Sequence, residues 1–447
     1  MTKVLLIRPD QINTKFCLKR LGIRHMPMGL LYLGAILKKI GVDVKICDEI
    51  VGDSPEDSIK QYKPDFVGIT IASPILYRAT EIGETVKKYG CKYIIGGPHA
   101  TIRPRECFEK TKCDFVILGE AEDSIREFFT SYDLKDIRGL AYKENGEVKI
   151  NPIRPKQENL DVIPFPAVDL INPKKYRGDT EMGFYVGKSE NSMRIFSTRG
   201  CKFECNFCAR HIVFGRRVRY RSIDNVMAEI IENSAKLNAK KLIFMDDTFT
   251  ENPERVSKIC EELIKLDKDY IWSCFSRVDL TEDLVKLMHR AGCRLIGYGV
   301  ETCSQKVLDM AKKNIEVEDI IRCFHLTRKL GIKTKAFIMV GLPGEDEIEF
   351  EKSLRIVKTL KADYVVVSVF TPLPGSEVFN SLYKSDIDYN VRSFFVTTDP
   401  VLLKRQTKFM NQYYFRYGYF KDNLIRFTLP ELTYFFDLVK SFLLVRF

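Results

Sequence analysis

The sequence has no uninterrupted run of the roughly 18 apolar residues that a membrane span requires. Its most apolar stretch, the closing "FFDLVKSFLLVRF", is broken by Asp437 and Lys440. A leader is not evident either: "MTKVLLIRPD" passes directly into a buried-strand pattern with no small-residue cleavage site, so a cytoplasmic chain is expected. No second C-x2-C pair accompanies the one at Cys205 and Cys208, which leaves a four-thiolate zinc site without its other half. A disulfide framework is also disfavoured, because thirteen cysteines in a chain of cytosolic character are expected to stay reduced. Cys17, Cys47, Cys91, Cys260, Cys274, Cys293 and Cys323 lie singly in or beside apolar runs and read as packing residues.

What is present points to a multidomain globular protein. A length of 447 residues exceeds one ordinary core, so two or three domains are expected. Apolar content of 45% with 29% charged residues fits a soluble protein. The formal charge of +11 favours anionic partners, whether phosphorylated cofactors, nucleic acid or an acidic membrane surface, without choosing among them.

Over residues 1–132, short apolar strands ("KVLLIR", "VDVKIC", "DFVGITI", "KYIIG", "DFVIL") alternate with amphipathic helices such as Met28 to Ile40. The pattern predicts a doubly wound parallel sheet with its ligand rim at the strand-end loops "RPD", "CDE", "IASP", "GGPHAT" and "LGEAE". Residues 133–190 read as a hairpin, turned at Asn145-Gly146, followed by a proline-punctuated linker. From 191 to 395 the alternation resumes, with strands at "RIFS", "KLIFMDD", "YIWSCF", "RLIGYGVE", "TKAFIMVG" and "DYVVVSVF". Helices are predicted at Asp224 to Leu237, Pro253 to Leu266, Glu282 to Arg290 and Glu347 to Leu360. Six units are too few for an eight-unit barrel, so a partial β/α barrel is expected. Residues 396–447, aromatic and basic, read as a helical cap or a substrate- or surface-binding appendage.

The chemistry concentrates in "STRGCKFECNFCAR", where Cys201, Cys205 and Cys208 are spaced C-x3-C-x2-C after the first barrel strand. Three thiolates on one loop can hold three corners of an iron–sulfur cube and leave one iron for a small molecule. His211 is a conceivable fourth ligand, and a redox disulfide would use Cys205 and Cys208 while leaving Cys201 idle. Downstream, "RRVRYRS" places four arginines in six residues, either as a clamp for anionic groups or as a solvated connector.

The spacing, its barrel context and Phe207 before the third cysteine resemble the radical S-adenosylmethionine (SAM) superfamily. The resemblance implies a [4Fe–4S] cluster on Cys201, Cys205 and Cys208, with SAM chelating the fourth iron and cleaved to a 5′-deoxyadenosyl radical. Residue by residue it extends to Asp246 and Asp247 of "FMDDTFT", which depart from the family's Gly-Gly-Glu-like segment, and for which a helix-capping role near Pro253 is the alternative. Arg277 of "SRVD" is similar to a family arginine at the SAM carboxylate, or else forms a structural salt bridge. Glu301 of "YGVETCS" resembles the family's ribose ligand, and Gly341 of "FIMVGLPGE" its adenine-side glycine segment. Arg221 matches a recurrent family position and is carried as a possible substrate contact.

The first 130 residues resemble the cobalamin-binding domain that precedes many such barrels, through "PMGLLYLGAILKKIGVDV", "CDE", "GGPHAT" and "LGEAE". That resemblance places cobalamin near Pro27, Gly29, Asp48, Ser73, Gly96, Gly97, His99 and Gly119. None of the five histidines sits in a D-x-H-x-x-G motif, as is common in this subclass; His99 is expected at the cofactor's periphery or as a helix cap. The implied activity is cobalamin-dependent methylation of an unactivated carbon, one SAM recharging the corrin and a second yielding the radical. Alternatives are a cyclase or oxidoreductase with the same cofactors, a methylthiotransferase, or a non-catalytic iron–sulfur electron carrier. A small-molecule or lipid-like substrate and an external donor of the flavodoxin or ferredoxin type are expected, nucleic acid is not, and "SFLLVRF" admits peripheral membrane contact.

Overall fold

A computed structural model describes residues 1–10, 25–131, 133–176, 191–382, 399–414 and 419. Strands β1 (Lys3–Arg8), β2 (Asp43–Asp48), β3 (Phe66–Thr70), β4 (Lys92–Gly96) and β5 (Phe115–Ile117) form a parallel sheet in the order β2-β1-β3-β4-β5. This is one of the two common doubly wound orders. Helices α1 (Met28–Lys39) and α6 (Glu122–Thr130) cover one face; α2 (Pro55–Tyr62), α3 (Leu76–Lys88), α4 (Pro98–Ile102) and α5 (Pro104–Thr111) complete the unit. α1 forms because its apolar residues recur every three or four positions. It buries Leu30, Leu31, Ile36 and Leu37 and ends on Lys38 and Lys39, which suit the negative end of the helix dipole.

The hairpin expected at the head of the linker belongs to this sheet. β6 (Leu140–Glu144) pairs antiparallel with β5, and β7 (Glu147–Ile150) extends it. The reason is mutual cover: β5 would otherwise be an open edge, and Leu140, Ala141 and Tyr142 are apolar residues that need burying. The remaining connector is fastened to both halves of the molecule. Ala167 N donates to Leu31 O at 3.1 Å, Asn233 Nδ2 to Pro166 O at 3.3 Å, and Tyr176 Oη to Asp48 Oδ2 at 2.8 Å.

The second sheet contains β8 (Asn191–Ile195), β11 (Ala239–Phe244), β12 (Ile271–Ser276), β13 (Cys293–Glu301), β14 (Lys333–Val340) and β15 (Tyr364–Val369). All are parallel and ordered as they occur in the chain. It is an open half-barrel, as six β/α units imply. A separate two-stranded ladder joins β9 (Thr198–Arg199) to β10 (Arg219–Tyr220) beside the cysteine loop. The helices are α7 (His211–Phe214), α8 (Ile223–Leu237), α9 (Pro253–Lys265), α10 (Glu282–Arg290), α11 (Gln305–Met310), α12 (Val317–Lys329), α13 (Glu347–Leu360) and α14 (Glu377–Leu382). The main core contains the fully buried Trp272, Cys274, Ile259 and Phe324.

The helix Pro400–Tyr414 lies along β15, the sheet's last strand. Tyr414 Oη accepts from Val365 N and donates to Val365 O, both at 2.7 Å, while Tyr413 Oη donates to Ala362 O at 2.6 Å. Gln406 Nε2 donates to Val367 O at 2.7 Å and Tyr419 Oη to Asp363 O at 2.8 Å. Among the described residues no helix is long and apolar enough to cross a membrane. The "SFLLVRF" stretch considered for membrane contact lies outside the described residues, as does Cys17.

Candidate functional site

The loop carrying Cys201, Cys205 and Cys208 leaves the C-terminal end of β8 and is shaped by bonds that do not involve its thiols. At its root, Asp246 accepts from Ser197 N at 2.7 Å, Ser197 Oγ at 2.6 Å and Thr198 N at 2.9 Å. Gly200 follows with φ of 97°, where a Cβ would collide with the Arg217 carbonyl, so only glycine serves there. Farther along, Asn206 N donates to Ala311 O at 3.2 Å and Asn206 Nδ2 to Met310 O at 2.7 Å. The two loop aromatics each meet a cation: Arg277 lies 3.8 Å from the Phe203 ring centroid and Lys313 Nζ 5.9 Å from that of Phe207.

The three loop cysteines are partly exposed, whereas Cys47, Cys91, Cys107, Cys113, Cys260, Cys274, Cys293, Cys303 and Cys323 are buried, as packing residues should be. Burial raises the thiol pKa of Cys201 and Cys208 above the ordinary value. Three soft thiolates on a preshaped, accessible loop fit a polynuclear iron–sulfur centre, in which each thiolate binds a different iron. A mononuclear site is not built: among the described residues no group of three or more His, Cys, Asp or Glu side chains is arranged to hold one ion, His211 included.

Facing this loop is a cavity of about 230 Å³ between the two sheets. From the first unit it is lined by Gly29 and Leu30 of α1 and by the strand ends at Thr70, Gly96, Gly97, Gly119, Glu120 and Glu122. From the half-barrel it is lined by Phe196, Thr198, Arg199, Arg210, Phe214, Met245 and Asp247. The wall is mostly apolar and its first-unit rim is glycine. A Cβ on Gly29 would meet nothing within 4 Å, whereas at Gly97, with φ of 102°, it would lie 2.7 Å from Ile71 O. Such a rim lets a broad, flat ligand approach the backbone closely, which fits a corrin ring.

Of the first-unit residues expected at a ligand, Gly29, Gly96, Gly97 and Gly119 line the cavity, while Pro27, Asp48, Ser73 and His99 do not. Pro27 precedes α1. Asp48 is fully buried, caps a 3-10 turn by accepting from Ile50 N at 3.0 Å, and holds the connector through Tyr176. Burial raises its pKa despite the nearby Arg8. His99 is also fully buried; its Nδ1 is 3.0 Å from Ser73 Oγ and its Nε2 is 3.6 Å from Glu106 Oε2. Burial pushes its pKa down to about 4, so it is neutral and braces the β3 and β4 loops against α5.

In the half-barrel, Asp246 and Asp247 diverge. Asp247 lines the cavity and pairs with Arg210, and burial raises its pKa. Asp246 turns inward to the loop root, where burial raises its pKa to about 6. Neither caps α9: Asn252 does, accepting from Arg255 N at 3.1 Å. Arg277, 6% exposed, donates to the carbonyls of Lys313 and Asn314 as well as stacking on Phe203. Glu301, with a left-handed φ of 67°, accepts from Lys313 Nζ at 2.8 Å. Gly341 (φ 87°) donates its amide to Glu345 Oε2 at 2.6 Å beside Leu402. Arg221, expected at the substrate, is committed within the protein. Its guanidinium is taken up by Glu229, Asn225 (2.7 Å to Oδ1) and Phe196 O (3.1 Å).

The "RRVRYRS" run therefore divides. Arg216 and Arg217 are exposed, while Arg219 and Arg221 are buried in ion pairs. Sequence reasoning missed Lys313 and, although it marked the loops holding Arg199, Glu120 and Glu122, missed their pairing, which spans up to 99 positions and leaves no local signal.

Residues 195–357 match the radical SAM superfamily and residues 15–129 match the B12 binding domain. An uncharacterized methyltransferase of Pyrococcus horikoshii is 32% identical over 415 residues, covering 90% of this chain and 87% of its own. An anaerobic magnesium-protoporphyrin IX monomethyl ester cyclase of Rubrivivax gelatinosus is 28% identical over 429 residues, covering 89% of this chain and 76% of its own. The structure of the radical SAM methyltransferase TsrM from Kitasatospora setae, with cobalamin and [4Fe–4S] cluster bound, superposes with a TM-score of 0.67. It does so at 20% identity over 84% of this chain and 77% of that one, which shows a shared fold.

Proposed function

The chain belongs to the radical SAM proteins that carry a B12-binding domain, and from that membership we propose that it is a cobalamin-dependent methyltransferase acting on an unactivated carbon of a small molecule. The observation that carries the reading is one cavity walled on one side by the glycine rim and on the other by the mouth that bears the cysteine loop. When bound, the cluster supplies an electron to SAM and the corrin carries the methyl group, so both must face one space.

The chain's own residues then have assignable tasks. Cys201, Cys205 and Cys208 hold the cluster, and the Phe203–Arg277 and Phe207–Lys313 contacts keep their loop in place. Asp247, Arg277, Glu301 and Gly341 border the SAM position at successive strand ends, with Glu301 held by Lys313. Gly29, Gly96, Gly97 and Gly119 bring backbone against the corrin. Phe196, Phe214 and Met245 exclude water from the reacting carbon. An external one-electron protein donor of the flavodoxin or ferredoxin type supplies the reducing equivalent.

Anaerobic purification with cobalamin, followed by turnover of methyl-labelled SAM under reductant, tests the reading. Bound cobalamin is expected, together with both S-adenosylhomocysteine and 5′-deoxyadenosine. Absence of cobalamin, or 5′-deoxyadenosine without S-adenosylhomocysteine, would overturn it. The similarity to an anaerobic cyclase favours a second reading, the same cofactors without methyl transfer, which label-free products would reveal.

A further inference from the structure

Arg219 sits where three parts of the chain meet. Its side chain is 2% exposed and pairs with Glu120, itself 8% exposed, on the loop after β5. Nη1 donates to Glu120 Oε2 at 2.9 Å and to Gln157 O of the connector at 2.7 Å. Nη2 donates to Glu120 Oε1 and, at 3.0 Å, to Phe214 O just past the cysteine loop. Four of the five guanidinium N–H groups are thus committed to the first unit, the connector and the half-barrel together.

The neighbouring charge makes this more than an isolated bridge. In the β9–β10 ladder Arg219 is paired directly with Arg199, the residue two positions before Cys201. Like charges opposite one another in a ladder repel. Here the first unit resolves the conflict: Glu122 accepts from Arg199, whose Nη1 is 3.8 Å from Glu120 Oε2, and whose guanidinium lies 6.0 and 5.7 Å from the rings of Tyr32 and Phe214. The hairpin bearing the cysteine loop is electrostatically settled only when docked on the β5–α6 loop, which also supplies part of the glycine rim.

We propose that Arg219, acting through Glu120, is a positioning residue that fixes the spacing between the glycine rim and the cysteine loop. This rests on the function proposed above, in which the methyl of SAM must cross that spacing while reductive cleavage needs the half-barrel alone. S-adenosylhomocysteine is what remains when the sulfonium yields its methyl as CH3+ to the reduced corrin. 5′-Deoxyadenosine forms when one electron from the added reductant splits the sulfonium into methionine and a 5′-deoxyadenosyl radical, which takes a hydrogen atom from the reductant or buffer. Within the first methyl transfer per corrin, the ratio of the two initial rates therefore reports registry between the units, and it needs no identified substrate.

Glu120→Gln keeps the side-chain shape and removes the charge, and Arg219→Lys keeps the charge and removes the fork. In the cluster- and cobalamin-loaded protein, each is expected to lower the S-adenosylhomocysteine to 5′-deoxyadenosine ratio at least about tenfold, as small misplacements do. Iron and cobalamin contents and 5′-deoxyadenosine formation should be retained. Arg217→Gln, at a 78% exposed side chain, is the control that should leave the ratio unchanged. In the cofactor-free chain, amide hydrogen exchange over residues 119–122 and 213–219 should rise in both variants. An unchanged ratio, or a parallel fall of both products, would overturn the proposal; should Arg219→Lys not fold, Glu120→Gln decides it alone. A wild-type protein that forms neither product would instead count against the function itself.

Discussion

Replacing Asp246 probes how the cysteine loop is anchored. The carboxylate is 1% exposed and takes three hydrogen bonds from Ser197 and Thr198. Asp246→Ala strands three buried donors, each costing about 1–3 kcal/mol; with water partly filling the space, a loss of about 4 kcal/mol is expected. Asp246→Asn keeps an oxygen for the two amides and can donate to Ser197 Oγ, whose hydroxyl turns to accept, so about 1 kcal/mol is expected at pH 5. The pH dependence has a definite sign. The native carboxyl titrates near pH 6, about two pH units above its ordinary 3.8, so the folded state holds the proton more tightly than the unfolded chain. That contribution is complete below pH 4 and lost as pH rises through about 6, a change of about 3 kcal/mol at 1.36 kcal/mol per pH unit. Asparagine does not titrate, so wild type should lose ground to Asp246→Asn across this window and fall to or below it by about pH 7.5. Urea unfolding of the reduced, cofactor-free chain between about pH 4.5 and 7.5 measures the difference. A difference constant with pH would refute titration of a buried carboxyl, and an alanine no worse than asparagine would refute the anchor.

Four further outcomes are expected. Cys201→Ala, Cys205→Ala and Cys208→Ala should each lose the iron–sulfur absorbance and 5′-deoxyadenosine formation while retaining cobalamin, read by ultraviolet–visible spectra and iron content. Gly97→Ala forces a side chain into a left-handed position 2.7 Å from backbone oxygen and should destabilise by about 3 kcal/mol. Gly29→Ala, in open helix space, should stabilise by about 1 kcal/mol yet weaken cobalamin retention, because its methyl enters the cavity. Tyr414→Phe leaves Val365 N and O unpaired and should cost about 2 kcal/mol in thermal or urea unfolding.

Periodicity and turn chemistry made the β/α order of both sheets legible, because strand and helix periods are local properties. The cysteine loop was legible for the same reason, its three cysteines lying within eight residues. Side-chain direction was not. Asp48, Ser73, His99 and Asp246 do stand at or just past strand ends, but each turns inward to satisfy a neighbouring loop, and sequence marks the position rather than the rotamer. Arg221 is committed internally for a related reason, since Glu229, eight positions on in α8, takes its guanidinium. The hairpin was recognised but misplaced, because pairing with β5 depends on a free edge that only the assembled sheet has.

The tyrosines along β15 bear on how copies of this chain meet. Along this strand, tyrosine hydroxyls and a glutamine amide occupy Asp363 O, both backbone groups of Val365 and Val367 O. An edge so occupied has little left to offer an incoming strand. Growth of the half-barrel into a sheet shared between two molecules is blocked on this side, so self-association here has to proceed through side-chain surfaces.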